Sequence, residues 1–171
     1  MTTTGYDFSR LKILVVDDNR FMRETVRAIL NAFGINQVQS ASEAGKAWSQ
    51  LAEFKPDICL IDWRMDPGPD GISLVKRIRT DPASPNAFMP VIMLTGNAEA
   101  RHVVEARESG INLYLAKPIS AETLYNRLVA AVEQAKPFVR TRDYFGPDRR
   151  GRPRPDYKGP KRRDADREAA E

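Results

Sequence analysis

The chain has 171 residues, with 27 Lys and Arg against 23 Asp and Glu, a formal net charge of +4 and one cysteine, Cys59. This length suits one domain with an appendage and leaves too little chain for a second full core. A single cysteine excludes an internal disulfide, and no apolar run approaches the roughly 20 residues of a membrane-spanning helix. The N-terminus lacks the basic start and apolar stretch of a signal peptide, so we expect a cytoplasmic protein.

The positive charge is concentrated near the C-terminus. Residues 1–136 contain 16 basic and 16 acidic residues, whereas residues 137–171 contain 11 and 7. Within residues 140–163 the balance is 10 to 3, and 8 of those 10 basic residues are Arg. Arg makes planar bidentate and stacked contacts that suit phosphates and guanine edges, so the composition indicates a binding segment rather than a generic solvated face.

In chain order, short β-branched apolar runs alternate with longer segments of helical period. Such alternation predicts βα units around a parallel sheet. The first, third and fourth runs are almost continuously apolar, as expected of strands covered on both faces. The predicted strands are Leu11–Val16, Gln37–Ala41, Ile58–Asp62, Val91–Thr95 and Leu113–Ala116.

The segments between and after the strands have the apolar spacing of amphipathic helices. Gly34 and Gly110 stand where helices should end. Ser42 and Ser120 stand where helices should be capped. The fold class is therefore α/β, a doubly wound parallel sheet of five βα units. The predicted helices are Phe21–Phe33, Glu43–Glu53, Ile72–Arg79, Ala98–Ser109 and Ala121–Gln134.

The chain divides into an N-terminal extension at residues 1–9, a domain at residues 10–136 and a tail at residues 137–171. The tail contains 5 Pro and 3 Gly but no periodic apolar face, so we expect a disordered arm that orders on binding. Within it, residues 143–150 (DYFGPDRR) return thirteen residues later as residues 156–163 (DYKGPKRR). Because this segment has no core that the repeat could serve, we interpret the repeat as a ligand-binding pattern.

Polar residues follow the carboxyl ends of the predicted strands, where doubly wound folds collect their functional groups. Asp17 and Asp18 follow the first strand, and Asp62 ends the third. Three converging carboxylates repel one another unless a cation lies among them, and oxygen ligands favour Mg²⁺. Thr95 ends the fourth strand and Lys117 follows the fifth, so a hydroxyl and an ammonium can bind phosphoryl oxygens. The set predicts phosphoryl transfer to an aspartate.

This pattern resembles the signature of the CheY-like receiver domain of two-component response regulators. The resemblance covers about residues 10–136 and implies a flavodoxin-like fold with strand order 2-1-3-4-5. It also implies a signalling module rather than an enzyme, phosphorylated by a histidine kinase. The matching residues are Asp17-Asp18, Asp62, Thr95, Tyr114 and Lys117-Pro118.

The resemblance implies a specific role for each of these residues. It also implies a cis peptide bond between Lys117 and Pro118. The implied roles are phosphoacceptor for Asp62, magnesium ligands for Asp17, Asp18, Asp62 and the backbone carbonyl of Arg64, switch hydroxyl for Thr95, phosphoryl binding for Lys117, and rotameric aromatic for Tyr114.

The loop after Asp62 departs from the family pattern. The stretch from Asp62 to Asp70-Gly71 is one residue longer than the usual spacing, and residues 64–69 (RMDPGP) are rich in Pro and Gly. Arg64 is bulky and charged at a position from which it could reach or shield a phosphoryl group. The loop is therefore the part of the site that the sequence predicts least well.

Each copy of the tail repeat contains a Tyr, a Gly-Pro turn and an Arg-Arg pair. Arg binds the O6/N7 edge of guanine, and stacking on an aromatic ring contributes about 1–3 kcal/mol per base. A two-fold segment suits a two-fold ligand with guanines and phosphates, and cyclic di-GMP is such a ligand. The predicted contacts are Arg142, Tyr144, Gly146, Arg149, Arg150, Arg152, Arg154, Tyr157, Arg162 and Arg163.

The order Tyr-Phe-Gly-Pro-Asp-Arg-Arg, followed by an Arg-rich stretch, resembles the tail of the Cle class of receiver proteins over about residues 138–163. Members of that class bind cyclic di-GMP through an arginine-rich C-terminal segment and act at the flagellar motor. The resemblance implies a ligand-controlled surface for a motor switch protein on the face of the fourth helix, fifth strand and fifth helix, with motility or attachment as the output.

Other interpretations stay open at this point. A basic arm with aromatic residues could bind RNA or DNA nonspecifically, bind an acidic protein partner, or bind nothing. The chain could also be a stand-alone phosphorelay receiver in which Asp62 is phosphorylated and the arm is incidental. Salt separates the binding modes, because nonspecific polyanion binding weakens steeply with salt and shows no preference for guanine.

Overall fold

The computed structural model describes residues 5–66, 68–96, 100–134 and 136–149, with the backbone alone at residues 100–103. No helix in these ranges is both long and apolar enough to cross a membrane. The strands are β1 Lys12–Val16, β2 Gln37–Ala41, β3 Ile58–Asp62, β4 Val91–Thr95, β5 Leu113–Ala116, β6 Phe138–Arg140 and β7 Phe145–Pro147. The helices are α1 Arg20–Ala32, α2 Ala44–Phe54, α3 Gly71–Thr80, α4 Ala100–Ser109 and α5 Ala121–Glu133.

Strands β1 to β5 form one parallel sheet in the order β2-β1-β3-β4-β5, which confirms the predicted fold and strand order. Four of these strands have the predicted limits, and β1 begins at Lys12 rather than Leu11. The order reverses between β1 and β3. The carboxyl ends of these two neighbouring strands therefore open onto the crevice where ligands bind in doubly wound sheets.

The sheet is covered on both faces because side chains alternate along its strands. Ile13 and Val15 of β1 belong to a buried cluster with residues of α1 and α5. Leu14 and Val16 belong to the opposite cluster, which includes residues of α2, α3 and α4. All four side chains are fully buried. This two-sided core fixes the strand ends that carry the polar residues.

Local chemistry sets most helix ends. Gly34 and Gly110 have φ of +83° and +101°, a backbone conformation that glycine adopts without a steric penalty. Ser120 forms a capping box with Thr123 at the start of α5. The predicted cap at Ser42 is wrong: α2 begins one residue later, and its capping position is Glu43, which makes no side-chain capping bond.

The prediction of a disordered arm from residue 137 onward is wrong for its first part. Strands β6 and β7 pair as an antiparallel hairpin. Phe138 and Phe145 pack on Phe88, with ring centroids 5.1 to 5.6 Å apart among the three. Contacts among three aromatic rings, of which only Phe145 is buried, thus stabilise the hairpin without the periodic apolar face that a sequence pattern would show. Residues 150–171 lie outside the described part of the chain.

The described end of the N-terminal extension packs on the domain. Phe8 is 3% exposed and belongs to the core cluster formed with α1 and α5. Its ring lies 5.7 Å from the ring of Tyr6 and 5.7 Å from that of Tyr125 on α5. The extension therefore covers apolar surface at the α5 side of the sheet.

Candidate functional site

Three carboxylates meet at the carboxyl edge of the sheet. Asp17 and Asp18 follow β1, and Asp62 is the last residue of β3, which is paired with β1. One carboxylate oxygen of each lies within 4.8 Å of the others. Asp17 and Asp62 are buried, whereas Asp18 is exposed. The structure therefore brings together the acidic cluster that the strand ends predict.

Lys117 joins two of these carboxylates. Its Nζ lies 3.0 Å from Oδ2 of Asp17 and 2.9 Å from Oδ1 of Asp62. The lysine follows β5, and its backbone N–H donates to the carbonyl of Thr95 at 2.7 Å. The Lys117–Pro118 peptide bond is cis, as the family resemblance implies. An ammonium thus lies beside the predicted phosphoacceptor, where it can bind an oxygen of a phosphoryl group.

The electrostatics of the cluster favour an additional cation. Burial raises the pKa of Asp62 to about 6; the hydrogen bond from Lys117 opposes this rise, and the charge of Asp17 adds to it. Burial disfavours the ammonium of Lys117, but hydrogen bonds to Asp62 and Asp17 outweigh burial and raise its pKa. Three carboxylates face a single ammonium, so negative charge at the cluster is left uncompensated.

The donor set fits Mg²⁺, which binds carboxylate oxygens and retains several waters. Asp17, Asp18 and Asp62 would hold the ion, and Asp18 leaves one side of the cluster open to solvent. The ion would offset negative charge as a phosphoryl group arrives. The predicted fourth ligand, the backbone carbonyl of Arg64, belongs to the loop after β3, which reaches the cluster where Asp66 N–H donates to Asp18 Oδ2 at 3.1 Å.

The longer loop after Asp62 is fitted closely against β3. Met65 is 4% exposed within the core, and the N–H of Gly71 donates to the carbonyl of Trp63 at 2.8 Å. A Cβ on Gly71 would overlap the carbonyl oxygen of Asp62. Gly68 has a φ of +135°, a conformation that favours glycine. The loop is thus anchored near both of its ends, by Met65 and by Gly71, and Asp62 is the last residue of β3.

Thr95 and Tyr114 lie on β4 and β5, the two strands that follow β3 in the sheet. Thr95 is the last residue of β4 and is 5% exposed, one strand away from Asp62. Tyr114 is half-buried on β5, with its ring centroid 5.8 Å from the guanidinium carbon of Arg127. These positions suit the switch roles that the family resemblance implies, and those roles stay predictions.

In the described part of the arm, two residues predicted to contact the ligand, Tyr144 and Gly146, pack against each other within the hairpin. Tyr144 is 8% exposed, and its hydroxyl donates to the carbonyl of Pro147 at 2.8 Å. A Cβ on Gly146 would lie 2.5 Å from that hydroxyl. Arg149 lies over the Tyr144 ring at 4.0 Å, and Arg142 is exposed. The other predicted contacts lie outside the described residues: Arg150, Arg152, Arg154, Tyr157, Arg162 and Arg163.

Arg79 of α3 contacts the hairpin, and it was not among the residues predicted to be functional. It is 2% exposed, and burial lowers its pKa to about 10. Its guanidinium lies 5.0 Å from the ring of Phe138. It donates four hydrogen bonds to uncharged acceptors, the carbonyls of Ala87, Met89 and Gly110 and the side-chain oxygen of Asn112. Helical spacing is the signal that could have found it, because Arg79 stands four residues after the buried Val75 and seven after the buried Ile72.

A cleft of about 180 Å³ lies where the hairpin meets α4, β5 and α5. We refer to these three elements as the α4–β5–α5 face. Tyr114 and Arg127 line the cleft from β5 and α5, and Arg107 lines it from α4. Lys136 and Arg149 line it on the side of the tail. The sequence did not predict this group because its members come from five separate segments.

The fold and the acidic cluster are those of a receiver-type module. The family model for the response regulator receiver domain matches residues 13–129, and the chain belongs to this family. It is a CheY-like signalling protein whose family match ends before the hairpin.

Similar proteins agree with this assignment. Chemotaxis protein CheY-3 of Vibrio cholerae serotype O1 is 38% identical over 118 residues, which is 69% of this chain and 88% of the relative. Chemotaxis protein CheY of Pseudomonas aeruginosa is 32% identical over 124 residues, covering 72% and 98%.

Solved structures give the same result. Vibrio cholerae CheY4 superposes with a TM-score of 0.65 at 28% identity, covering 71% of this chain and 98% of that one. The receiver domain of Francisella response regulator 1452 has a TM-score of 0.65 at 30% identity, covering 74% and 100%.

Proposed function

We propose that Asp62 accepts a phosphoryl group from a phosphorylated histidine of a kinase. The observation that carries this proposal is the contact of Lys117 with both Asp62 and Asp17 beside a magnesium-compatible cluster. An Asp62 carboxylate oxygen forms a bond to phosphorus as the nitrogen–phosphorus bond breaks, and the leaving imidazole nitrogen keeps the electron pair and takes up a proton. Lys117 then binds an oxygen of the transferred group.

Phosphorylation is tested with acetyl phosphate as the donor in the presence of Mg²⁺. Wild-type protein should become labelled, and Asp62→Asn should not, because the amide is not a nucleophile of this kind. Asp143→Asn, at an exposed position of the hairpin, is the matched control and should be labelled like wild type. Chelation of Mg²⁺ should abolish labelling. Labelling of Asp62→Asn at the wild-type rate would place the acceptor elsewhere.

The arginine-rich arm, in this proposal, binds cyclic di-GMP. Two copies of a Tyr, Gly-Pro and Arg-Arg pattern support it, together with the eight Arg between residues 140 and 163. The structure adds that the first copy fastens a hairpin and leaves Arg149 beside the α4–β5–α5 face. Because Tyr144 and Gly146 are used in that fastening, most contacts with the ligand fall to Arg149 and to the residues that follow it.

The output proposed here is ligand-controlled interaction with a flagellar motor switch protein, and hence control of motility or attachment. Two relatives are named chemotaxis proteins, which supports a motor-related output. The α4–β5–α5 face carries Tyr114 and adjoins the start of the arm. A ligand that orders the arm there would change the surface that a partner meets.

Calorimetric titration of cyclic di-GMP tests the role of the arm. The full chain should bind with micromolar or tighter affinity in the presence of excess GTP. A chain ending at Asp148, which keeps the hairpin, should not bind, and Arg149→Ala with Arg150→Ala should weaken binding strongly. Asp62→Asn should bind like wild type, which separates this function from the phosphorelay.

The same titration at two salt concentrations identifies the competing interpretations. Steep loss of affinity with salt, and no preference for guanine, would indicate a nonspecific polyanion-binding arm. No binding at all would leave a phosphorelay receiver whose basic tail has a different partner.

A further inference from the structure

The turn between β1 and α1 carries two of the three clustered carboxylates, and the helix does not supply donors for its backbone. Asn19 is the capping residue of α1, and its carbonyl accepts a helical bond from the N–H of Arg23 at 3.1 Å. The carbonyls of Asp17 and Asp18 precede this cap, so they lie outside the ladder of the helix. Their orientation therefore depends on a donor from elsewhere.

The side chain of Arg23 supplies that donor. Its Nη1 donates to the carbonyl of Asp17 at 2.8 Å and to that of Asp18 at 3.0 Å. Arg23 is half-buried in the first turns of α1, and helical side chains point back toward the start of their helix. One nitrogen bonded to two successive planar peptide groups holds the φ and ψ angles of Asp18, the residue between them.

Other donors hold the two carboxylates of this turn. Oδ2 of Asp17 lies 3.0 Å from Nζ of Lys117. Oδ2 of Asp18 accepts from the N–H of Asp66 at 3.1 Å. The segment after β5 and the loop after β3 thus fix the side chains, whereas Arg23 fixes the backbone that carries them.

We propose that Arg23 is a positioning residue of the magnesium site, one that keeps the carboxylates of Asp17 and Asp18 beside that of Asp62 by holding their backbone; this inference rests on the magnesium-dependent function proposed above for the cluster. The hydrogen bonds of its side chain reach the two ligand residues through their carbonyls and leave the carboxylate oxygens to the ion. Groups that orient metal ligands in this way typically contribute about 10- to 100-fold to metal affinity.

The charge of Arg23 acts in the opposite direction to its hydrogen bonds. A guanidinium near a cation site repels the ion, so removal of the charge alone would tighten Mg²⁺ binding. Loss of the two hydrogen bonds would weaken Mg²⁺ binding, because the turn would no longer hold its carboxylates together. The direction of the change in affinity therefore separates a positioning role from an electrostatic one.

The test measures Mg²⁺ affinity of the full chain by fluorescence of Trp63, next to Asp62, without a phosphoryl donor. Arg23→Gln should weaken Mg²⁺ binding by about tenfold or more. Arg23→Lys should recover part of the affinity, because an ammonium keeps the charge and can still donate to a carbonyl. Arg27→Gln, the same change at an exposed position of the same helix, is the matched control and should bind Mg²⁺ like wild type.

Urea unfolding without Mg²⁺ accompanies these titrations. An arginine with a structural role alone would lower the free energy of unfolding and leave the Mg²⁺ affinity of the folded chain unchanged. Unchanged or tighter Mg²⁺ binding by Arg23→Gln would thus overturn the positioning role. If wild type bound no Mg²⁺, this inference and the magnesium-dependent phosphorylation would both fail. If Arg23→Gln weakened Mg²⁺ binding but acetyl phosphate did not label Asp62, the positioning role would stand and the phosphoacceptor function would fail.

A measurement on the wild-type chain avoids any dependence on how the variants fold. Two hydrogen bonds should slow the rotation of the Arg23 guanidinium, so NMR should give it a lower rotation rate than that of the exposed Arg27. Equal rotation rates for the two side chains would show that the bonds to the turn do not persist in solution, and would also overturn the inference.

Discussion

Gly71 is the residue on which the close fit of the loop after Asp62 depends most directly. We expect Gly71→Ala to lower the free energy of unfolding by about 1–3 kcal/mol, the usual cost of overpacking, because the new Cβ would overlap the Asp62 carbonyl oxygen. Phosphorylation of Asp62 should also slow as that carbonyl is displaced. Urea unfolding and labelling by acetyl phosphate measure the two effects.

The matched control is Gly45→Ala on α2, where an added Cβ meets nothing within 4 Å. Alanine favours helix over glycine by up to about 1 kcal/mol, so this variant should be as stable as wild type or more stable. Equal stability of the two alanine variants would show that the loop yields without cost and that Gly71 is not required.

Cys59 gives the core a pH dependence at alkaline pH. Burial raises the pKa of its thiol in the folded chain, and the charge of Arg79 only partly opposes this. Because the folded pKa is raised, the contribution to stability is complete below the unfolded pKa of about 8.5 and is lost as pH rises above it.

The loss should be about 1.4 kcal/mol per pH unit above roughly pH 9, because the unfolded chain releases a proton that the folded chain retains. Cys59→Ala removes this term, so the stability difference between wild type and Cys59→Ala should shrink with that slope. Urea unfolding at several alkaline pH values measures it. A difference that stays constant with pH would mean that the folded thiol ionises normally.

At the scale of elements, the sheet could be predicted because its strands are short runs, three of them almost continuously apolar, that local sequence is enough to recognise. Each of β1 to β5 contains at least four residues, long enough for composition and flanking breakers to mark it. The hairpin could not be predicted in this way. Its strands have three residues each, and Phe138 and Phe145 pack against Phe88, about fifty residues earlier in the chain.

The hairpin should open independently of the sheet when aromatic contacts of Phe138 are removed. Phe138→Ala removes two aromatic contacts, each worth about 0.5–1.5 kcal/mol. Amide exchange at Thr141 and Asp148, which donate to Tyr144 and Pro137, should accelerate by roughly tenfold or more. Amides of β1 and β3 should keep their protection.

Val132→Ala, at a half-exposed apolar position of α5, is the control for this experiment and should leave hairpin exchange unchanged. If Phe138→Ala accelerated exchange in the hairpin and the central strands equally, the hairpin would be part of one cooperative unit with the domain.

At the scale of the whole molecule, the acidic cluster and the cleft differ in how much of each could be predicted from the sequence. The carboxylate and lysine cluster was predictable because parallel strands bring their carboxyl ends to one edge, so Asp17, Asp62 and Lys117 meet whatever the loops do. The cleft depends on where the tail docks. Arg127 and Arg149 become neighbours of one cavity only because the hairpin fastens against α4.

These two sites are joined by one short strand. Tyr114 of β5 lines the cleft, and three residues later Lys117 contacts Asp62 at 2.9 Å. A phosphoryl analogue that draws Lys117 to itself acts on the end of β5, while a ligand bound by the arm at the α4–β5–α5 face acts on its middle. We therefore expect the two events to be coupled through β5.

The coupling must be reciprocal if it exists, because both ligands act on the same equilibrium. Saturation of Asp62 with beryllofluoride should change the affinity for cyclic di-GMP by about fivefold or more, and cyclic di-GMP should change the affinity for beryllofluoride by the same factor. Calorimetry measures the first affinity and fluorescence of Trp63, next to the acceptor, measures the second. Asp62→Asn should bind cyclic di-GMP with one affinity regardless of beryllofluoride. If each ligand bound wild type with an affinity independent of the other, β5 would carry no signal, and the protein would hold two separate receptors on one domain.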